Sequence, residues 1–153
     1  MKHYNNKILV VLGLSVLLLS LIFACSKHTS TEPEPTPEKH RQQFDWLNES
    51  FTVSAGYYRY YTQDLEALDT LDVEISLLQG DYIGYFFIAD ETNYLKWKAS
   101  DPYTTLLSRT NSTGGNFNIT IPSYDKYYFV VYNTAFIVTI EVHASITVIR
   151  WSY

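Results

Sequence analysis

Cysteine is almost missing from this chain: one residue in 153, Cys25, which cannot close a disulfide within its own chain. A domain made from this sequence must therefore hold together by burial alone. Histidine is scarce as well, and between residues 44 and 153 there is only His143. One histidine without cysteines cannot assemble the usual zinc sets. No G-x-S-x-G or comparable nucleophile elbow occurs, so His143, on the polar phase of an alternating run, lacks the partners of a catalytic base. The chain reads as a non-enzyme that needs no cofactor. There is no basic cluster either, which excludes nucleic acid as a natural partner. Alanine is sparse while aromatic and β-branched residues abound, an imbalance that disfavours helices.

Long apolar runs are limited to one, Ile8 to Phe23, broken only by Gly13, Ser15 and Ser20. Lys2 and Lys7 precede it and Ala24-Cys25 follow, which gives the basic, apolar and small-residue parts of a secretory signal. A transmembrane helix would need about 20 apolar residues, a few more than this core supplies. The stretch Leu21-Ile22-Phe23-Ala24-Cys25 resembles the lipobox of bacterial lipoproteins. The resemblance implies a diacylglyceryl thioether on Cys25, cleavage after Ala24 and a lipidated Cys25 as the first mature residue. Phe23 is bulkier than that family usually carries. Two or more acyl chains would anchor the product stably to membrane lipid. Ser26 stands where a retention aspartate could have been, so in a host with two membranes the resemblance favours the outer one. The expected location is thus extracytoplasmic, lipid-anchored at the cell or outer membrane.

From Cys25 to Gln43 the chain is polar, with Pro33, Pro35 and Pro37 interleaved with Glu32, Glu34 and Glu38. Such a stretch cannot bury apolar surface and favours extended polyproline geometry. It reads as a stalk able to hold a domain up to roughly 50 Å from its anchor. The expected organisation is a signal over 1–24, a linker over 25–43 and one domain over 44–153. Loss of Lys2 and Lys7 with the signal leaves 9 basic against 16 acidic residues, a net charge of −7. Anionic headgroups would repel such a domain.

Period-2 alternation runs through the domain and predicts strands. Leu71, Val73, Ile75 and Leu77 share one phase, as do Phe117, Ile119 and Ile121, and then Val138 through Val148. Further strands are expected near Phe51–Val53, Tyr57–Leu65, Tyr82–Ile88, Tyr103–Arg109 and Lys126–Asn133. Gly80-Asp81, Gly114-Gly115 and Pro122-Ser123 punctuate them. About eight strands without long helices predict an all-β antiparallel sandwich, with a jelly roll as first choice. In Ala89 to Ser100, Asp90 can cap one or two helical turns carrying Tyr94, Leu95 and Trp97, expected over an end of the sandwich.

The segments "FFIADETNYLKWKAS" and "GGNFNITIPSYDKYYFVVYNT", with a last strand ending in "IRW", resemble small extracytoplasmic GOLD-like sandwich domains. The likeness runs from Phe51 to Trp151 and implies a fold rather than a function. The coiled coil and C-terminal membrane helix of the cargo receptors in that group have no counterpart here, so cargo transport does not carry over.

Tyrosine is the remaining signature, with 14 residues. In Tyr57-Tyr58-Arg59-Tyr60-Tyr61, alternation sends odd and even residues to opposite faces. Arg59 needs water or a partner, which assigns Tyr57, Arg59 and Tyr61 outward as a candidate site for a sugar ring or planar side chain. The plainer reading is cross-strand packing. Asp64, Glu66, Asp69 and Asp72 could line a calcium loop, although their spacing fits none. Asn48, Asn111 and Asn118 begin N-x-S/T sequons. The functional expectation is a non-catalytic interaction module that meets an envelope protein. The alternative is a carbohydrate-binding module that meets a glycan.

Overall fold

The computed structural model describes residues 38–152, and Ala24, Cys25 and most of the linker lie outside them. Eight antiparallel strands form two four-stranded sheets. In chain order they are β1 (His40–Val53), β2 (Tyr58–Leu65), β3 (Thr70–Gln79), β4 (Ile83–Asp90), β5 (Leu107–Ser112), β6 (Gly114–Thr120), β7 (Asp125–Tyr132) and β8 (Ile140–Ser152). One sheet has the order β1-β8-β3-β6 and the other β2-β7-β4-β5. The first strand thus pairs with the eighth, the second with the seventh, the third with the sixth and the fourth with the fifth. That is one folded ribbon of strand pairs rolled into two layers, the jelly-roll arrangement expected from the strand spacing.

The core lies between the sheets. Leu71, Val73 and Ile75 of β3 and Val142, Ala144, Ile146 and Val148 of β8 point into it, as their alternation requires, opposite Phe86, Ile88, Phe129 and Val131. Truncating any of the leucines or isoleucines to alanine would cost about 2–5 kcal/mol. One charge is buried with them at the edge. Asp69 is 1% exposed, and Arg150 donates to both of its oxygens, at 2.9 and 2.6 Å, with a further bond to Glu66. Removing the arginine would strand a buried carboxylate, a change that costs about 3–5 kcal/mol.

Several boundaries differ from those read in the sequence. β1 starts at His40, inside the stretch assigned to the linker, because Gln42 and Gln43 pair with Arg150 and Ile149 of β8. Its alternation is hidden by a bulge between Asp45 and Leu47, which resets the phase. β5 starts at Leu107 rather than Tyr103. The preceding residues are held by the helix instead, with Asn93 Oδ1 accepting from the Thr104 N–H at 2.9 Å. β8 begins at Ile140, and Val138 belongs to a loop.

Helix α1 (Glu91–Ala99) has nine residues, longer than the one or two turns anticipated. Asp90 caps it as expected: its Oδ1 accepts from the Asn93 N–H at 2.8 Å and its Oδ2 from the Asn93 side chain. Ser100, at φ 61°, ends it in the left-handed conformation. It does not close an end of the sandwich. It lies on the outer face of the β2-β7-β4-β5 sheet, where Tyr94 joins Phe87, Ala89, Tyr128 and Val130 in a second apolar cluster. This is why β4 and β7 read as continuous apolar runs: both of their faces are covered.

Candidate functional site

The outer face of the helix-bearing sheet is built in rows set by strand register. Tyr58, Tyr132, Tyr85 and Thr110 form one row across the four strands, and Tyr60, Val130, Phe87 and Ser108 the next. Even-numbered positions of β2 and β7 and odd-numbered positions of β4 therefore concentrate the tyrosines on one surface. Helix α1 covers its middle. Tyr94 stacks on Tyr128, while Trp97 meets Phe87 and Tyr58 edge-on with centroids 5.0 Å away in each case. The Tyr128 hydroxyl donates to Glu91 at 2.9 Å and Lys126 bridges to the same carboxylate at 3.7 Å, tying the helix start to β7.

Two regions of this face stay open. Tyr58 and Tyr60 are exposed beside the helix. On the other side, Tyr85, Trp97, Tyr103 and Tyr132 wall a shallow groove of about 570 Å³ whose rim carries Thr110, Asn111 and Thr134. The Tyr103 hydroxyl donates to that of Tyr85 at 3.1 Å, which fixes both rings. Burial is the main cause that pushes the Tyr85 phenol well above its ordinary value, with the Tyr103 bond second. The Tyr85 phenol is therefore a neutral donor and acceptor at ordinary pH.

The predicted trio, Tyr57, Arg59 and Tyr61, is divided differently from the expectation. Tyr61 turns toward the space between the sheets, tilted on Phe51 at 5.2 Å and stacked on Phe129 at 6.4 Å. Arg59 lies over the same rings, with its guanidinium 5.3 Å from Phe51 and 5.5 Å from Tyr61, and pairs with Glu49 at 3.6 Å. Tyr61 donates to that glutamate too, and burial followed by this bond raises its pKa. Tyr57 precedes β2 in a turn and is largely exposed. The outward residues of the strand are instead Tyr58 and Tyr60. The three predicted residues do not form one exposed platform: Tyr61 is structural, and Arg59 reaches water along an open sheet edge.

The opposite face is polar. Asp45, Thr147, Asp72 and Asn118 form one row of the β1-β8-β3-β6 sheet, and Asn48, Ser145, Glu74 and Asn116 another. Asp72, Glu74, Asn116, Asn118, Ser145 and Thr147 of these rows line a shallow, acidic groove of about 400 Å³. Asp72 bonds Asn118, so it is separated from Asp69, which Arg150 holds at the sandwich edge. The four acids considered for calcium do not converge. His143 lies 3.2 Å from the Ser50 hydroxyl, but no carboxylate hydrogen-bonds its ring among the described residues. The sequon residues Asn48, Asn111 and Asn118 are exposed.

Sequence reasoning missed the groove. Trp97 and Tyr132 were visible as aromatics, but only the position of the helix on the outer face brings them to Tyr85 and Tyr103.

No protein-family model and no curated protein matches the chain. Among solved structures it is similar to PliG from Aeromonas hydrophila, a periplasmic inhibitor of g-type lysozyme. There the identity is 15%, the coverage 71% of this chain and 86% of that one, and the TM-score 0.47. It is also similar to the pre-peptidase C-terminal domain of a collagenase from Bacillus anthracis, at 21% identity, 65% and 89% coverage and a TM-score of 0.40.

Proposed function

We propose that the chain is an exported lipoprotein, anchored in membrane lipid through Cys25, whose sandwich serves as a non-catalytic interaction module in the cell envelope. The observation that carries this reading is the position of Cys25, the sole cysteine, directly behind Ala24 at the end of the one long apolar run. The Pro/Glu-rich spacer that follows suits a domain held off a surface. The resemblance to GOLD-like domains belongs to the same reading and adds a fold without a ligand. An open aromatic surface on a rigid two-layer scaffold supports recognition rather than catalysis. Metabolic labelling with a palmitate analogue tests the anchor: label should enter the parent and disappear in Cys25→Ser, which should accumulate as uncleaved precursor. Equal label in both chains would overturn it.

A second reading, carbohydrate binding, draws on the groove beside α1. Trp97, Tyr85 and Tyr132 line it with aromatic rings, and Asn111, Thr110 and Thr134 offer hydroxyl and amide partners at its rim. Sugar rings stack on aromatic faces while their hydroxyls pair at the edge. A glycan array probed with the parent and with Tyr132→Ala separates the two readings, since only the second expects signal that the substitution removes.

A further inference from the structure

The β7–β8 connection, from Asn133 to Thr139, carries Phe136 at 99% exposure and Ile137 at 89%, with Val138 half exposed. Two adjacent apolar side chains held almost wholly in water are an unfavourable surface for a domain with no use for them.

The loop that presents them is clamped. Asn133 is fully buried, and its side-chain amide donates to the carbonyls of Val53 at 3.0 Å and Val138 at 2.6 Å. Its Oδ1 accepts from the Ala135 N–H at 3.1 Å. Its backbone N–H donates to Tyr57 and its carbonyl accepts from Gly56, both at 3.0 Å. The Asn133 side chain therefore ties the two ends of the loop to each other and to the end of β1, while its backbone fastens the loop root to the β1–β2 turn.

Strand directions place the turns that follow β1, β3, β5 and β7 at one end of the sandwich. Tyr57, Leu78 and Tyr82 are exposed at that end as well. In its connecting segments, 54–57, 80–82, 113 and 133–139, Asp81 is the sole charged residue. His40 pairs with Ser152 at the opposite end.

We infer that this end is a preorganised apolar plug, led by Phe136 and Ile137, that inserts into a concave apolar pocket on another folded protein of the envelope. The inference rests on the reading of the chain as an exported interaction module and assigns that role to a surface. A convex, pinned pair needs a cleft to bury both side chains, and pinning lowers the ordering cost of binding. A bilayer is the poorer occupant. Interfacial anchors pair apolar residues with lysine or arginine for anionic headgroups, and these segments contain neither.

The test is in-cell photo-crosslinking of the full chain, with a benzophenone amino acid at Phe136 and, as a control, at Leu68, which is exposed at the other end. The plug requires a discrete protein adduct from 136 and not from 68. The crosslinked protein is then identified, purified and titrated with the full chain. Phe136→Asp and Ile137→Asp should each weaken binding at least about 30-fold, the scale of an interface hot spot. Both should leave the melting temperature unchanged, because these side chains bury nothing. Adducts to lipid, adducts of twice the chain's own mass, equal adducts from both positions, no adducts, or unchanged affinity would each overturn the plug. The anchor fails independently: loss of palmitate label with crosslinking retained removes the lipoprotein reading and leaves the plug standing.

Discussion

The rings of Tyr94 and Tyr128 lie 3.9 Å apart and within 9° of parallel, and through this stack helix α1 is seated on its sheet. Tyr94 is the one buried residue of the helix, while Leu95, its neighbour, is exposed. So short a helix would not persist alone in water, and it is held by packing and by the Asp90 cap.

Tyr94→Ala is therefore expected to lower stability by about 3–4 kcal/mol, as for truncation of a buried aromatic. Tyr94→Phe keeps the stack and should cost no more than about 1.5 kcal/mol. Trp97→Ala, at a half-buried position, should fall between them. Urea unfolding of the three variants checks the order. Parent-like unfolding of Tyr94→Ala would mean that the helix contributes nothing to the fold.

Much of this arrangement was legible in the residues, and the failures have local causes. β3, β6 and β8 announce themselves because one face is wet, so Leu71, Val73 and Ile75 alternate with Asp72 and Glu74. Asp90 marked the helix start because a short carboxylate before a polar first turn has few other uses. β2 misleads because an arginine on a strand reads as a mark of the outer face. In an edge strand the space between the sheets opens to water, so Arg59 can lie flat on Phe51 and Tyr61 from the inner side and still meet solvent. The loop over residues 133–139 misleads for a different reason. Val138 continues the phase of Ile140 and Val142, and only the ladder, whose β1 pairing ends at Val53 with Ile140, excludes it from β8.

A second expectation concerns alkaline pH. The phenols of Tyr61, Tyr85, Tyr94 and Tyr128 are all raised above their ordinary value, in each case chiefly by burial. A group whose folded pKa is raised stabilises the fold fully below its unfolded pKa, about 10 for tyrosine, and loses that contribution as pH climbs toward the folded value. Stability should thus fall steadily above about pH 10. Phenolate absorbance should rise in two steps, the second coinciding with loss of the far-ultraviolet strand signal. A single step near pH 10 in a domain that stays folded would show these phenols to be solvated.

The third expectation joins the groove to the exposed loop. Gly84 lies where β4 passes the root of the β7–β8 connection, and a Cβ there would stand 2.1 Å from Thr134 Oγ1 and 2.6 Å from its backbone nitrogen. Both distances are far inside van der Waals contact, and the second involves backbone that no rotamer change relieves. Gly84→Ala should therefore push the loop root outward and destabilise the domain by about 1–3 kcal/mol, the usual cost of overpacking. Thr134→Gly added to it removes the hydroxyl clash but not the clash with the nitrogen, so recovery in the double variant should be partial. Urea midpoints of the single and double variants decide this. Full recovery would locate the whole conflict in the threonine side chain, and an unperturbed Gly84→Ala would show that the loop root moves freely, contrary to the pinning by Asn133.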